Sequence, residues 1–164
     1  LISIEDTREW FAKTMREEMD FHELTLSDVS RDCMIDRNKL NNYVQARSLP
    51  NPYVLSKLAD YFECTVNDLL DFDEPDDDSL LGYDLSYIFE DEDEFVMHIR
   101  NRIEQHMLDS RISITDLSER TGFNKHTIKY WLGMLKKQPT LIRTSDLLRI
   151  CDALDCTPSD LLGY

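Results

Sequence analysis

The sequence predicts an all-α protein made of two similar five-helix modules, on three observations. The stretch Asp60-Tyr-Phe-Glu-Cys-Thr-Val-Asn-Asp-Leu-Leu-Asp-Phe72 returns as Asp152-Ala-Leu-Asp-Cys-Thr-Pro-Ser-Asp-Leu-Leu-Gly-Tyr164, the mark of one unit used twice. Apolar residues before each copy recur about one helical turn apart, and no alternating strand pattern occurs. A length of 164 residues suits two domains of roughly 65–75 residues, small enough to need compact helical cores with mostly local contacts.

In the first module, Trp10, Phe11, Met15 and Met19 mark one face of the opening helix, with Thr7 placed to cap it. Leu24-Thr25 opens the second helix, where Thr25 is the N-cap and Asp28 its acidic partner three residues on; Leu26, Val29 and Cys33 share its inner face. Asp36 caps a third helix that turns Leu40 and Tyr43 inward. Ser48-Leu-Pro50-Asn-Pro52 reads as a loop. A fourth helix buries Val54, Leu55, Leu58, Ala59 and Phe62, and Thr65 caps a short fifth ending in Leu69-Leu70.

The second module repeats the order. Phe95, Ile99, Ile103 and Met107 with Leu108 form its first helix, and Ser113 caps a second carrying Ile114 and Leu117. Gly122 makes the turn, and Asn124 caps a third helix with Ile128 and Trp131 inward. Pro139 marks the loop, and Leu147, Leu148, Ile150, Cys151 and Leu154 form the fourth. Thr157-Pro158 starts the fifth, with proline at the first helical position where a missing N–H costs nothing. The boundaries expected are 1–72 for the first module, 73–91 for a connector and 92–164 for the second.

The net charge of −15 is unevenly spread. Residues 1–72 carry 8 bases and 14 acids, residues 73–94 carry 11 acids and no base, and residues 95–164 carry 10 bases and 8 acids. Much of the acidity therefore belongs to the connector, and only the second module is net basic. Within the connector, Leu80-Leu81-Gly82-Tyr83 and Leu85-Ser-Tyr87-Ile-Phe89 are apolar enough to pack on a module, and Glu90 to Glu94 complement the start of the next helix.

The order helix, tight turn, helix, then proline-containing loop and two short helices resembles the phage-repressor (Xre/Cro) helix-turn-helix family. The matching residues are Leu24-Thr25 through Asp36-Arg37-Asn38-Lys39-Leu40 to Pro50, and Ile112-Ser113 through Gly122-Phe123-Asn124-Lys125-His126 to Pro139, in register at an offset of 88 residues through the motif. The resemblance implies that the second helix of each pair enters the major groove, about 12 Å wide, while the first crosses the backbone. Carried over by alignment, Arg37, Asn38 and Asn42, with Lys125, His126 and Tyr130, are the implied base contacts. Lys39, Asn41, Gln45 and Arg47, with Lys129, Lys136 and Lys137, are the implied phosphate contacts. Arg to guanine and Asn to adenine are pairings that base edges permit. The chain departs from the family pattern at Leu26 and Ile114, where glutamine is common, and at Met34 and Ala46, where glycine is.

The implied function is a sequence-specific, DNA-binding transcription regulator of a bacterium or a mobile element. It would bind double-stranded DNA as a monomer covering two half-sites like a pseudo-dimer, or as a homodimer, with the more basic second module dominating affinity. The alternative is a protein-binding module, an inhibitor or antitoxin-like partner using the fold or its acidic connector. No Gly-rich phosphate loop, nucleophile elbow or metal-ligand spacing accompanies four glycines and four histidines, so neither enzyme nor cofactor is expected. His22, His98 and His106 read as surface residues. Cys33, Cys64, Cys151 and Cys156 read as buried thiols of a reducing cytoplasm, and no apolar run approaches a membrane span.

Overall fold

A computed structural model describes residues 3–73, 91–135 and 140–163. The described residues of the first compact unit form helices α1 (Ile4–Phe21), α2 (Leu26–Cys33), α3 (Arg37–Val44), α4 (Pro52–Phe62) and α5 (Val66–Leu70). Those of the second form α6 (Glu92–Asp109), α7 (Ile114–Thr121), α8 (Lys125–Trp131), α9 (Thr144–Leu154) and α10 (Pro158–Leu162). Among the described residues the fold is all-α, with five helices in each unit and no strand. The apolar segments around Tyr83 and Phe89 lie outside the described residues, as do Lys136, Lys137 and Pro139.

In the first unit α1 packs on α3 and α5, closing a core of Phe11, Met15, Leu40, Leu55, Leu58 and Leu69, each fully buried. Phe11 meets Tyr43 edge-on at 6.1 Å between ring centroids, the favoured aromatic geometry. The second unit buries Ile99, Ile103, Ile128, Leu147, Ile150 and Leu161 in the corresponding places. Side-chain caps set most helix starts: Thr25, Asp36, Asn51, Thr65, Asp91, Ser113, Asn124 and Thr157 each accept a backbone N–H of the first turn.

Several sequence-based placements are corrected. Ser3, not Thr7, caps α1, accepting from Asp6 N. Thr7 lies one turn inside and buried, its hydroxyl donating to Ser3 O at 3.0 Å; Glu5 and Asp6 in the first turn suit the earlier start. Trp10 sits at the edge of the core, 38% exposed, with Nε1 donating to Asp68 O. Leu108 points outward at 74% exposure while Met107 fills the core. Val54, Leu26 and Ile114 are half-buried.

On α8 the fully inward residue is Ile128, and Leu132 just after the helix is buried too; Trp131 is half-buried, its ring edge-on to Phe123. His98 is half-buried rather than on the surface: partial burial, then the neighbouring Arg102, lowers its pKa, partly offset by a backbone hydrogen bond with Leu162. His22 is half-buried and stacks on Phe62, and His106 is half-buried as well. Cys33 and Cys151 are buried thiols, whereas Cys64 and Cys156 are half-buried. Among the described residues no helix is long and apolar enough to cross a membrane.

Candidate nucleic-acid interface

Each unit builds the same turn between its second and third helices, from the same parts. The start of α2 is fixed by a capping box: Thr25 Oγ1 accepts from Asp28 N, and Asp28 Oδ2 accepts from Thr25 N at 2.8 Å. Ser113 and Asp116 repeat it on α7, at 2.9 Å. In both boxes the backbone N–H is the largest influence lowering the carboxyl's pKa. Each of the two helices ends on a residue in the left-handed region, Met34 at φ 57° and Gly122 at φ 80°. Only glycine enters that region without steric cost. Met34 stands there as a substituted residue, with its side chain 87% exposed.

A serine hydroxyl from inside the helix then holds the turn. Ser30 donates to Ile35 O at 2.7 Å, and Ser118 to Phe123 O at 2.6 Å. The next residue starts the third helix: Asp36 accepts from Asn38 N and Lys39 N, and Asn124 from Thr127 N. These bonds place α3 and α8 with their N-terminal ends exposed.

Arg37, Asn38 and Lys39 are exposed on the first turn of α3, and Asn41 and Asn42 are half-buried on the second. Gln45, the C-cap, donates from Nε2 to Asn41 Oδ1 at 3.2 Å, so these two side chains are already joined. Arg47 is exposed just beyond the helix. On α8, Lys125, His126 and Lys129 are exposed. Tyr130 is half-buried; its hydroxyl accepts from Thr140 N and donates to Thr140 Oγ1, tying the helix to the segment before α9.

The remaining cations divide by use. In the first unit Arg8 donates to Arg47 O, Arg16 to Val44 O and Lys57 to Cys33 O. Arg31 pairs with Asp28 and Asp32, and Lys13 with Glu17. The side chains of Arg37, Lys39 and Arg47 have no such partner among the described residues. In the second unit Arg102 donates to Asp160 O, Arg120 to Ala153 O and Arg149 to Thr121 O. Lys125 and Lys129 are left without one among the described residues, as are the half-buried Arg100 on α6, the exposed Arg111 before α7 and the exposed Arg143 at the start of α9. The positive charge with no partner among the described residues therefore includes Arg37 and Lys39 on α3, Arg47 just beyond it, and Lys125 and Lys129 on α8, where it is open to an anionic partner.

Sequence comparison agrees with this geometry. Residues 14–76 and again 102–164 match the family described as "Cro/C1-type HTH DNA-binding domain". The chain belongs to this family. The two Cro/C1-type domains begin 88 residues apart, the offset that also relates Thr25 to Ser113, so family match and turn geometry share one register. The "Uncharacterized HTH-type transcriptional regulator YozG" of Bacillus subtilis strain 168 is 42% identical over 55 residues, 33% of this chain and 61% of that relative. No solved structure matches the chain.

Sequence reasoning missed the cations that brace the Cro/C1-type domains from within: Arg8, Arg16, Lys57, Arg102, Arg120 and Arg149. A lysine or arginine on a helix reads alike whether its tip meets solvent or a carbonyl. One signal was available, since the repeat register places Lys57 opposite Arg149.

Proposed function

We propose that the protein is a sequence-specific, DNA-binding transcription regulator, with α3 and α8 as the base-reading helices. The observation that carries this reading is that α3 and α8 each present two exposed cations, Arg37 with Lys39 and Lys125 with Lys129, that have no partner among the described residues of a chain of net charge −15. Base contacts fall to Arg37, Asn38, Asn42, Lys125, His126 and Tyr130. Phosphate contacts fall to Lys39, Asn41, Gln45, Arg47, Lys129, Lys136 and Lys137. The relative named as a transcriptional regulator supports the same reading. Two reading helices in one chain suit paired half-sites about one helical turn of DNA apart, so a single chain acts as a pseudo-dimer.

The acidic run favours a second reading, in which the chain binds a basic protein. Part of that run has a local use: Asp91 caps α6 by accepting from Glu94 N at 2.8 Å, and Glu92, Asp93 and Glu94 occupy its first turn. Acids there complement the helix dipole, which weakens the case for a partner.

The test is enrichment of genomic fragments by the intact chain over a nonspecific control, followed by site selection with Asn38→Ala. The wild type is expected to return a consensus. The variant is expected to lose preference at one position and keep the rest, because a wrong base pair costs roughly 1–3 kcal/mol. No enrichment at physiological salt would overturn the reading, and an unchanged consensus would remove Asn38 from it.

A further inference from the structure

We propose that Lys57 and Arg149 are positioning residues for DNA recognition, each clamping the turn that sets the recognition helix without itself touching DNA. This rests on the DNA-binding reading above. Lys57 is the sixth residue of α4 and Arg149 the sixth of α9. Each donates to the carbonyl of the last residue of the helix before the turn: Lys57 Nζ to Cys33 O at 3.3 Å, and Arg149 Nη2 to Thr121 O. The last carbonyls of a helix lack intrahelical partners, and a cation there meets the negative end of the dipole.

The far end of each turn is held by Ser30 or Ser118 through the carbonyl of Ile35 or Phe123. The cap of the recognition helix, Asp36 or Asn124, is the very next residue. Both ends of the turn are thus pinned, and releasing one frees the angle at which α3 or α8 leaves it.

The two clamps are built differently, and each matches its own turn. Arg149 lies over the Phe123 ring at 4.1 Å, and a Cβ placed on Gly122 would sit 3.2 Å from its Nη2. A side chain at that position would make the broad guanidinium give by a few tenths of an ångström. Lys57 carries a compact ammonium over the Tyr53 ring at 5.0 Å and shares its turn with Met34. Glycine with arginine and methionine with lysine are two solutions to one constraint.

Arg149→Met, Arg149→Lys and Lys129→Ala in the full chain, titrated against the selected DNA at several salt concentrations, separate the possible roles. Arg149→Met is expected to weaken binding about tenfold, the scale of a hydrogen bond from a charged donor, with its salt slope unchanged. Arg149→Lys is expected to restore most of the loss. Lys129→Ala, by contrast, should lower the salt slope by about one unit. A slope lowered by Arg149→Met would make Arg149 a phosphate contact, and unchanged affinity with a lower melting temperature would make it merely structural. Either result overturns the proposal. Hydrogen exchange without DNA supplies an independent arm: Arg149→Met is expected to speed exchange at Gly122 and Phe123 while other α7 amides hold. If the wild type selects no DNA but exchange quickens, the functional reading has failed and the clamp stands; unchanged exchange sinks the clamp itself.

Discussion

At the scale of single residues, α3 and α8 differ most at their caps. Asp36 and Asn124 each accept from the backbone N–H three residues on, yet one carries a full negative charge beside Arg37 and Asn38 while the other is neutral. Aspartate and asparagine are near-equal N-caps. Asp36→Asn is therefore expected to leave the melting temperature within a few degrees and to strengthen DNA binding several-fold at low salt, where the lost repulsion is least screened. Melting curves and titrations on one preparation check both halves, and weaker binding would place Asp36 away from the phosphates. The exposed residues of α3 and α8 were legible in the sequence because the repeat fixes their register twice. His98 was not: its burial arises from packing between α6 and the end of α10, which no local pattern encodes.

At the scale of elements, helix starts were largely readable, since a capping side chain acts on its own next three residues. Thr25, Asp36, Thr65, Ser113, Asn124 and Thr157 all sit where local chemistry places them. Ser3 was missed because two hydroxyl residues four apart both suit the entry, and helix length decided between them. Faces were less legible. Met107 and Leu108 are equally apolar, and only the packing of α6 on α10 sends one in and one out.

Helix ends show an asymmetry. Glu23, Met34, Ala46, Glu63 and Asp71 occupy the left-handed region in the first unit, all with side chains. In the second unit Gly122, Gly133 and Gly163 relieve three such positions and leave Arg111 and Asp155. A side chain there costs roughly 1–2 kcal/mol. Met34 buries almost nothing, so Met34→Gly should stabilise the first unit by about 1 kcal/mol, raising its melting temperature by roughly 4–8 °C. Calorimetry checks this, and a fall in melting temperature would show that Met34 has contacts that matter.

At the scale of the whole molecule, charge is sorted by place. Residues 25–47 carry four bases and three acids, and residues 113–135 three bases and two acids. The two reading segments are thus equally basic within these bounds. The excess acid of the first unit lies instead in α1, α4, α5 and their flanks. Lys136 and Lys137, just past the second of these bounds, add two further bases to the second module.

The connector is the other reservoir of acid. Replacing Glu90, Glu92 and Glu94 by Gln, and Asp91 and Asp93 by Asn, retains the α6 cap, because Asp91→Asn keeps a side-chain oxygen that can accept from the first turn. The variant is expected to bind selected DNA more tightly at about 50 mM salt, with the gain shrinking as the Debye length falls. Titration across salt checks it. Loss of capture of a basic protein, with no specific DNA binding by either version, would favour the protein-partner reading instead.

The paired turns also bear on how the gene can change. Two homologous halves in one coding sequence invite recombination between them. An exchange with its joint between codon 34 and codon 57, or between 122 and 149, would unite Met34's turn with Arg149's guanidinium, or Gly122's with Lys57's ammonium. The first hybrid brings a Cβ to about 3.2 Å from Arg149 Nη2, so the guanidinium must give by a few tenths of an ångström, whereas the second adds no such contact. Whole-module exchange carries each turn together with its own clamp. A joint that unites Met34's turn with Arg149's helix should therefore be the rarer of the two, so that the stretch from turn to fourth helix is inherited as a block in that direction only.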